Sequence, residues 1–437
     1  MSGRKRLMLY AEGLGDGGAE AVVVHLASGM ARQGFDVSIV LERGWINRAI
    51  PPGVTVQALG PHVGPWSRAQ RVRALGRLWL GQPPDIVISR ITYPNLNALQ
   101  ARERIQGRFP IVCVEDCMPS LVLPLYPKRR DYSYDRCVAQ MRHLYRKADA
   151  LVAVSRSVAE DVASLVGVPT TDVRVVHNPV VGPELPVLAQ RKTGHSWMDD
   201  PTLRVVLGVG RLVVEKNFET LVEAFARLAP TEPRARLVIL GRGEGRESIV
   251  RAAAALGVEH RVSVPGYEMN PYAFLSRAAV VVLPSLTEGL PNVLVEAMAC
   301  GTPVVATDSP GGNRELLEDG RLGPLTPVRD PAALAEAIRA TMSAPPAADA
   351  LMAKASEFHV HAGVLRYLDL VREVIRSDAT SCRPAGRRVD PRTPTVPTPP
   401  GGRSVTATDE GGARGGALHV SDRASASRTR VGGGGEP

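Results

Sequence analysis

Two glutamates, Glu288 and Glu296, lie eight residues apart on either side of a Gly-Leu-Pro turn. The apolar run before them, residues 280–284, is typical of a buried parallel strand that ends in a loop. Pro291 suits the first position of a helix, which places Glu296 just over one turn inside it. Because helical side chains lean toward the N-terminus, both carboxylates can face one small volume above the strand end. Two acceptors at that point suit a ligand rich in vicinal hydroxyl groups.

The residues around this pair form a longer pattern. Gly289 lets the backbone approach a ligand, and free N–H groups at the helix start can face a phosphate or a polar sugar face. The series Glu-Gly-Leu-Pro-Asn, a second Glu, and then Ala-x-Ala-x-Gly-x-Pro-Val-Val resembles the signature of the retaining GT-B glycosyltransferases of family 4. The resemblance implies that Glu296 holds ribose hydroxyls and that Glu288 and the adjacent backbone hold the sugar. It also places Leu290 and Pro291 at the nucleotide-sugar site.

Two cations follow an earlier strand of the second half of the chain. Residues 207–217 read Leu-Gly-Val-Gly-Arg-Leu-Val-Val-Glu-Lys-Asn, and Asn217 can cap the helix that begins after it. Arg211 and Lys216 therefore lie at the carboxyl end of a strand, where open α/β sheets bind ligands. The segment resembles the Gly-Arg-Leu-x-x-x-Lys-Asn pattern of the same family, in which this pair clamps the donor diphosphate. Fixed cations there stabilise the negative charge that develops on the departing β-phosphate.

Two glycine-containing elements extend the resemblance. Gly17 and Gly18 belong to Gly-Gly-Ala-Glu, which follows the first strand and resembles the family element that approaches the donor diphosphate from across the cleft. The alternative for these glycines is a tight turn that needs positive φ. Gly266 and Tyr267 resemble the segment whose backbone meets the nucleotide base, and a core or rim position is the alternative for Tyr267.

One segment departs from the family pattern. Many relatives have a His after the fifth strand that contacts the donor sugar, whereas residues 111–119 here read Ile-Val-Cys-Val-Glu-Asp-Cys-Met-Pro. Glu115 or Asp116 takes the equivalent place. Such a carboxylate can bind a sugar or acceptor hydroxyl or an amino group, or it can be a buried structural acid. No Asp-x-Asp occurs in the chain, so we expect no metal and no other cofactor.

The composition limits the class of protein. The 437 residues are 44% hydrophobic, enough for two domains with substantial cores. Neither a signal peptide nor an apolar run of membrane-spanning length is present, so a cytoplasmic location is expected. Residues 1–185 hold 23 Lys and Arg against 16 Asp and Glu, a balance of +7 that suggests an anionic partner or ordinary solvation. Aromatics of 4% and the lack of a binding-module signature argue against nucleic acid.

The order of elements predicts an α/β fold. Short β-rich runs alternate with helical patterns in two series: 7–11, 36–41, 54–59, 86–89, 111–114, 151–154 and 173–176, and then 205–209, 237–240, 262–264, 280–283 and 304–306. This alternation predicts two Rossmann-like, doubly wound domains facing a cleft, the GT-B fold. We assign residues 1–180 to an acceptor-side domain and 181–376 to a nucleotide-sugar domain whose final helix packs back. Residues 377–437, rich in Pro and Gly, are expected to be disordered.

Taken together, the patterns over residues 7–376 indicate a retaining glycosyltransferase. The resemblance implies front-face transfer, in which the donor β-phosphate takes the acceptor proton, with UDP as the default nucleotide. A glycan or lipid-linked saccharide in cell-surface polysaccharide or glycoconjugate synthesis is the expected acceptor, and the transferred unit is expected to be a hexose or N-acetylhexosamine. Alternatives on the same fold are a sugar-nucleotide epimerase, an α-glucan synthase and a non-catalytic sugar-nucleotide sensor.

A basic helical pattern in the first domain raises a membrane hypothesis. Residues 66–80 place apolar side chains on one face and four arginines elsewhere: Arg68, Arg71, Arg73 and Arg77. Each exposed arginine near an anionic bilayer contributes roughly 1 kcal/mol to binding. The pattern therefore predicts reversible docking on an anionic membrane, at the inner face of the plasma membrane. The alternative is a structural helix with solvated arginines.

Overall fold

The computed structural model describes residues 4–60, 66–126 and 133–381, with side chains described as far as Ser377. The described residues belong to one compact unit that contains two parallel sheets. The predicted disordered segment 377–437 lies outside the described residues from 382 onward, so the disorder of that part stays a prediction.

The first half of the chain builds a seven-stranded sheet. Its strands are β1 (Arg6–Ala11), β2 (Asp36–Leu41), β3 (Val54–Ala58), β4 (Ile86–Arg90), β5 (Ile111–Glu115), β6 (Ala150–Ala153) and β7 (Val173–Val175). The helices are α1 (Gly18–Arg32), α2 (Arg68–Gly81), α3 (Thr92–Ile105), α4 (Pro119–Val122), α5 (Tyr134–Leu144) and α6 (Arg156–Val166). The central strands are buried throughout, because helices cover both faces of a parallel sheet.

The second half builds a six-stranded sheet. Its strands are β8 (Arg204–Val209), β9 (Ala235–Leu240), β10 (Val262–Gly266), β11 (Val280–Leu283), β12 (Val304–Thr307) and β13 (Leu325–Thr326). The helices are α7 (Leu185–Ala189), α8 (Phe218–Leu228), α9 (Arg246–Ala255), α10 (Pro271–Leu275), α11 (Asn292–Ala299), α12 (Asn313–Leu317), α13 (Pro331–Ser343), α14 (Ala348–Ser356) and α15 (Val360–Ser381).

Both sheets are doubly wound. The spatial orders are β3-β2-β1-β4-β5-β6-β7 and β10-β9-β8-β11-β12-β13, and the neighbouring strands run parallel. In each sheet the order reverses once, between β1 and β4 and between β8 and β11. Loops leave the sheet in opposite directions at such a point and open a crevice at the carboxyl edge. The fold therefore supplies two crevices, one in each half.

The strands predicted from the sequence are all present, and their ends differ from the prediction by at most two residues. This confirms the predicted α/β architecture. The two-residue strand β13 was not predicted, because so short a run leaves no pattern in the sequence. Asn217 does precede α8, but with φ of 51° and no side-chain cap; its amide donates instead to the Pro284 carbonyl at 3.1 Å.

Helix α15 lies against the first half of the chain. Gly29 of α1 is so close to it that a Cβ there would lie 2.4 Å from the Val364 side chain. Farther along, Arg174 forms an ion pair with Glu373. The helix extends to Ser381, beyond the predicted domain end at residue 376.

Helix α2 begins with a capping box in which Ser67 and Gln70 each satisfy the other's backbone N–H. Val72, Leu75 and Trp79 form its buried face. In the described ranges, no helix is both long and apolar enough to cross a bilayer.

The prediction of four surface arginines on α2 is wrong for two of them. Arg68 donates to Asn97 Oδ1 at 2.9 Å, and Arg71 is only 9% exposed and pairs with Glu42 at 3.7 Å. Both are bound within the domain, since their long side chains cross from the helix to neighbouring elements. Arg73 and Arg77 are exposed.

Candidate functional site

The crevice of the second sheet brings together residues from two separate motifs. Lys216 ends a short 3₁₀ turn that follows β8, and Glu288 lies on the loop that follows β11. The Lys216 Nζ donates to Glu288 Oε1 at 2.5 Å, and the Ser285 hydroxyl donates to the same oxygen at 2.6 Å. The side chains of Lys216 and Glu288 are 18% and 7% exposed. A buried acid and a partly accessible cation therefore form a pair at the switch point.

Arg211 lies on the same loop and is more open. Its side chain is 61% exposed and donates to Glu215 Oε1 at 3.1 Å. The other oxygen of Glu215 accepts from the Tyr126 hydroxyl of the first half at 2.6 Å. Burial raises the pKa of Glu20, and the charges of Arg211 and Arg48 oppose that rise. Arg211 is thus placed where its charge acts on groups of both halves.

Glu296 is the fifth residue of α11, and Pro291 immediately precedes the helix instead of beginning it. Burial raises the pKa of Glu296 to about 7, while the charge of Arg48 and a hydrogen bond from Tyr272 oppose the rise. The charge of Glu296 in turn raises the pKa of the Tyr272 phenol. The ligand-free carboxyl is therefore close to half-protonated at neutral pH. Hydrogen bonds from the hydroxyl groups of a ligand would favour the ionised carboxylate and lower its pKa.

The predicted glycines of the first half do not form a positive-φ turn, and their approach to a donor diphosphate stays a prediction. Gly17 has φ of −79° and immediately precedes α1. A Cβ on Gly17 would lie 2.3 Å from a carboxylate oxygen of Glu20, and a Cβ on Gly18 would lie 2.9 Å from the amide nitrogen of Asn292 in α11. The glycine loop therefore faces the start of α11 directly.

Gly289 is also a close-approach residue, but its neighbour differs from the predicted one. A Cβ there would lie 1.9 Å from the carbonyl oxygen of Asp116, so the missing side chain makes room for the first half of the chain and not for a ligand. On the other side, a Cβ on Gly311 would lie 1.9 Å from the Glu288 carbonyl, and one on Gly312 would lie 2.6 Å from the Gly289 carbonyl. Three backbone segments are stacked here with no side chains between them. Leu290 is buried just beyond the stack.

Glu115 is not available to a ligand. It is 1% exposed, and its oxygens accept from Thr92 Oγ1 at 2.9 Å, Asn95 Nδ2 at 3.1 Å and the Tyr145 hydroxyl. Burial raises the pKa of Glu115 to about 7, against those three hydrogen bonds. The predicted contact with a sugar or acceptor is therefore corrected in favour of its alternative, a buried structural acid.

Asp116 is likewise bound to the protein, in the crevice of the first sheet. Both its oxygens accept from Arg90, which is 1% exposed. Arg90 also donates to Asn178 Oδ1 at 2.8 Å and to the Tyr367 hydroxyl of α15 at 3.3 Å. Ile91, the next residue, has φ of 73°, a strained value for a β-branched side chain. The crevice of the first sheet is therefore filled by the chain's own side chains, and Asp116 as a ligand contact is not supported.

Gly266 and Tyr267 lie at the carboxyl edge of β10, where Gly266 has φ of 110°. The guanidinium of Arg242 lies 5.2 Å from the centre of the Tyr267 ring. Arg242 also pairs with Asp16 of the first half at 3.5 Å. Tyr267 is therefore linked through Arg242 to the first half of the chain, and its role at the base stays a prediction.

Arg48 is a site residue that the motifs did not reveal. It follows β2 and donates to the carbonyls of Gly15 and Gly17 at 2.9 and 2.7 Å. Its charge acts on Glu20 and Glu296. The available signal was a cation just beyond the carboxyl end of a strand that neighbours β1, in a segment without a family pattern.

Across the described ranges, no group of three or more His, Cys, Asp or Glu side chains is placed to hold a metal ion. Independence of a metal stays a prediction, which rests on the cations Arg211 and Lys216.

The sequence of this chain matches two protein-family models and several known proteins. The chain matches the model of Glycosyltransferase Family 4 over residues 16–181 and that of Glycosyl transferases group 1 over residues 196–358. It is 30% identical over 325 residues to the lipopolysaccharide core biosynthesis glycosyltransferase LpsE of Rhizobium meliloti, covering 74% of this chain and 85% of that one.

Two further likenesses agree with that result. The chain is 28% identical over 333 residues to the N-acetylgalactosamine-N,N'-diacetylbacillosaminyl-diphospho-undecaprenol 4-alpha-N-acetylgalactosaminyltransferase of Campylobacter jejuni, covering 74% of this chain and 86% of that one. Among solved structures, Alr3699/HepE of Anabaena, determined in complex with UDP and glucose, has a TM-score of 0.67 at 20% identity, over 85% of this chain and all of that one. That likeness shows the GT-B fold. The two family models, the relatives and the paired doubly wound sheets show that this chain belongs to the group 1 glycosyltransferases and has the GT-B fold.

Proposed function

We propose that this glycosyltransferase moves a hexosyl or N-acetylhexosaminyl unit from a UDP-linked donor to a glycan or lipid-linked saccharide, with retention of the anomeric configuration. The observation that carries the proposal is the contact of Lys216 with Glu288 at the second switch point. Glu296 lies in α11, the helix that follows the Glu288 loop. Cation, acid and hydroxyl acceptor are the three functions that a nucleotide-sugar donor needs at its diphosphate, sugar and ribose.

The cations take the leaving group in this proposal. The bond between the anomeric carbon and the diphosphate oxygen breaks, and negative charge develops on the β-phosphate. Lys216 and the more exposed Arg211 stabilise that charge. The acceptor hydroxyl attacks from the same face and gives its proton to the β-phosphate, so the new bond has the old configuration and no protein base is needed.

Glu296 binds the ribose in this proposal. A carboxylate with two acceptor oxygens suits the 2′ and 3′ hydroxyls, and its pKa of about 7 makes ionisation dependent on what binds. The uracil nucleotide is supported by the Anabaena neighbour, which was determined with UDP. The saccharide acceptor is supported by the printed names of the Rhizobium and Campylobacter relatives, one concerning lipopolysaccharide core and the other a diphospho-undecaprenol.

A panel of UDP-, GDP- and ADP-linked sugars tests the function. We expect release of the nucleoside diphosphate from one donor, slow alone and faster with a saccharide acceptor, and equal rates with and without EDTA. Retention is read from the anomeric coupling constant of the product. Conversion of the donor into another sugar nucleotide would instead indicate an epimerase, extension of glycogen would indicate an α-glucan synthase, and binding without release would indicate a sensor.

The proposed location of the enzyme is the cytoplasmic face of a membrane, where it binds anionic lipid reversibly. The support is the +7 balance of residues 1–185, with Arg73 and Arg77 exposed on α2. Each such cation contributes roughly 1 kcal/mol, so binding should weaken about thirtyfold when both are replaced by Gln and should fall with salt. Co-sedimentation with anionic and neutral vesicles measures this, with Arg251→Gln in the second half as the matched control. Equal binding to both kinds of vesicle would contradict it.

A further inference from the structure

The loop that follows β2, residues 43–48, is fixed against the glycine loop of the first half. The Leu14 N–H donates to the Trp45 carbonyl at 2.8 Å, and the Asn47 N–H donates to the Leu14 carbonyl at 2.9 Å. A Cβ on Gly13 would lie 3.4 Å from the Trp45 indole ring. The two loops therefore form one wall of defined shape, which we name the β2 wall (residues 13–17 and 43–48).

A cavity of about 690 Å³ opens in the β2 wall, lined by Gly15, Asp16, Gly44, Trp45, Ile46 and Asn47. Trp45 is 43% exposed and Ile46 is 46% exposed, so a large apolar surface faces solvent there. Arg43 lies 5.3 Å from the centre of the Trp45 ring. The Asn47 amide donates to the Asp16 carboxylate at 3.2 Å. An aromatic surface thus lies beside a carboxylate and an amide.

This mixture of groups matches a saccharide. The C–H face of a pyranose packs on an indole ring, while its hydroxyls need a carboxylate and an amide at the edge. A lipid chain matches less well, because it would remove water from Asp16 without offering it a hydrogen bond. The occupant argued here is therefore a sugar ring.

The β2 wall also contacts the second half of the chain. Asp16, on its edge, pairs with Arg242 of the second half at 3.5 Å. Arg48, at the end of the same loop, acts electrostatically on Glu296. A sugar ring on the β2 wall is therefore next to the place where the donor is proposed to bind.

We infer that the β2 wall is the acceptor subsite and that Trp45 is its stacking platform for the terminal saccharide of the acceptor. The inference deepens the proposed function and rests on it for the identity of the reaction. Its physical content, a saccharide site at Trp45, stands on the geometry of the wall alone.

The test uses the full chain and octyl glycosides of glucose, galactose, N-acetylglucosamine and N-acetylgalactosamine below their micelle concentrations. Saturation-transfer NMR reports which protons of each glycoside touch the protein, without any donor. Diphosphate release with and without glycoside reports stimulation, expressed as a ratio to each variant's own release. We expect contact through the sugar protons of at least one glycoside. We also expect Trp45→Ala to raise its half-saturating concentration about tenfold.

Two variants separate the ring from the loop. Trp45→Phe keeps an aromatic face and should stay within about threefold of the parent, and Leu80→Ala, which removes a 69% exposed side chain elsewhere in the same half, should match the parent. Equal losses in Trp45→Ala and Trp45→Phe would overturn the inference, since they would report the fold of the loop. So would saturation of the octyl protons alone, or of none. Should the parent release no diphosphate, the proposed function fails, and the NMR contact at Trp45 still decides the saccharide site.

Discussion

The two sheets have the same switch-point topology, yet their crevices differ in what fills them. In the first, Arg90 is buried and its donors are used by Asp116, Asn178 and Tyr367 of the same chain. In the second, Glu288 is as buried as Asp116, at 7% exposure, but its cation Lys216 is 18% exposed where Arg90 is 2% exposed. A topological switch point therefore marks a possible site, and a cation that stays partly open to solvent distinguishes a candidate binding site from a scaffold.

The largest expected effect is on stability, and it comes from removing the buried Arg90 from the first crevice. Arg90→Ala leaves the Asp116 carboxylate buried without its cation, so the free energy of unfolding should fall by about 3–5 kcal/mol. Urea unfolding measures the change. Arg73→Ala, an exposed arginine of the same half, should stay within about 0.5 kcal/mol of the parent. A loss near that of the control would show that the first crevice does not depend on this cluster.

In the open crevice, the same kind of change should act on the reaction. Lys216→Ala removes a fixed cation from the proposed leaving group and should lower kcat by about 10²–10³, as should Arg211→Ala. Lys192→Ala, an exposed lysine away from the crevice, serves as the control and should leave kcat unchanged. Near-normal turnover in Lys216→Ala would mean that the second crevice is also only a scaffold.

The carboxyls of Glu115 and Glu296 sharpen the comparison through pH. The folded pKa of Glu115 is about 7 against an ordinary value of 4.5, so its contribution to stability is present below pH 4.5 and is lost as pH rises through 7. Glu115→Gln has no proton to lose at this position, so raising the pH from 5 to 8 should improve the stability of the variant relative to the parent by at most about 3 kcal/mol. Urea unfolding at pH 5, 6.5 and 8 gives the slope. Identical slopes in variant and parent would contradict the raised pKa.

Glu296 should show its pH dependence in donor binding. If the ionised carboxylate accepts the ribose hydroxyls, as the proposed function requires, affinity for UDP-glucose should rise about tenfold from pH 6 to pH 8, as the proton leaves a group with a pKa of about 7. Calorimetric titration measures this. Glu296→Gln should flatten the profile, whereas Glu115→Gln should keep it. A profile unchanged by Glu296→Gln would remove that carboxylate from the donor site.

The fold and the second crevice could be predicted from the sequence because their signals are local. Apolar runs mark the strands, and Lys216 and Glu288 each follow such a run within a few residues. The position of a side chain at a strand end then fixes which edge of the sheet it occupies. Nothing else is needed to bring the two residues together once the strand order is known.

What the sequence did not reveal depends on partners from distant segments. Glu115 looks like an accessible acid at a strand end until Thr92, Asn95 and Tyr145 enclose it. Gly289 was predicted to allow close approach of a ligand, but the segment that approaches it is the backbone at Asp116, which only the folded structure shows. Arg48 stayed unnoticed because no pattern around it indicates that it holds glycine carbonyls thirty residues earlier.

The backbone stack beside the second crevice has a mechanical consequence. Side chains absorb small displacements by changing rotamer, but the main chain of residues 288–289 lies directly between the Asp116 carbonyl and residues 311–312. A displacement of the residues that follow β5 should therefore move the backbone of residues 288–289 directly, because no side chain lies between the two segments to absorb it. Because Glu288 accepts the hydrogen bond from Lys216, a displacement of the first half of the chain should change the distance between these two side chains.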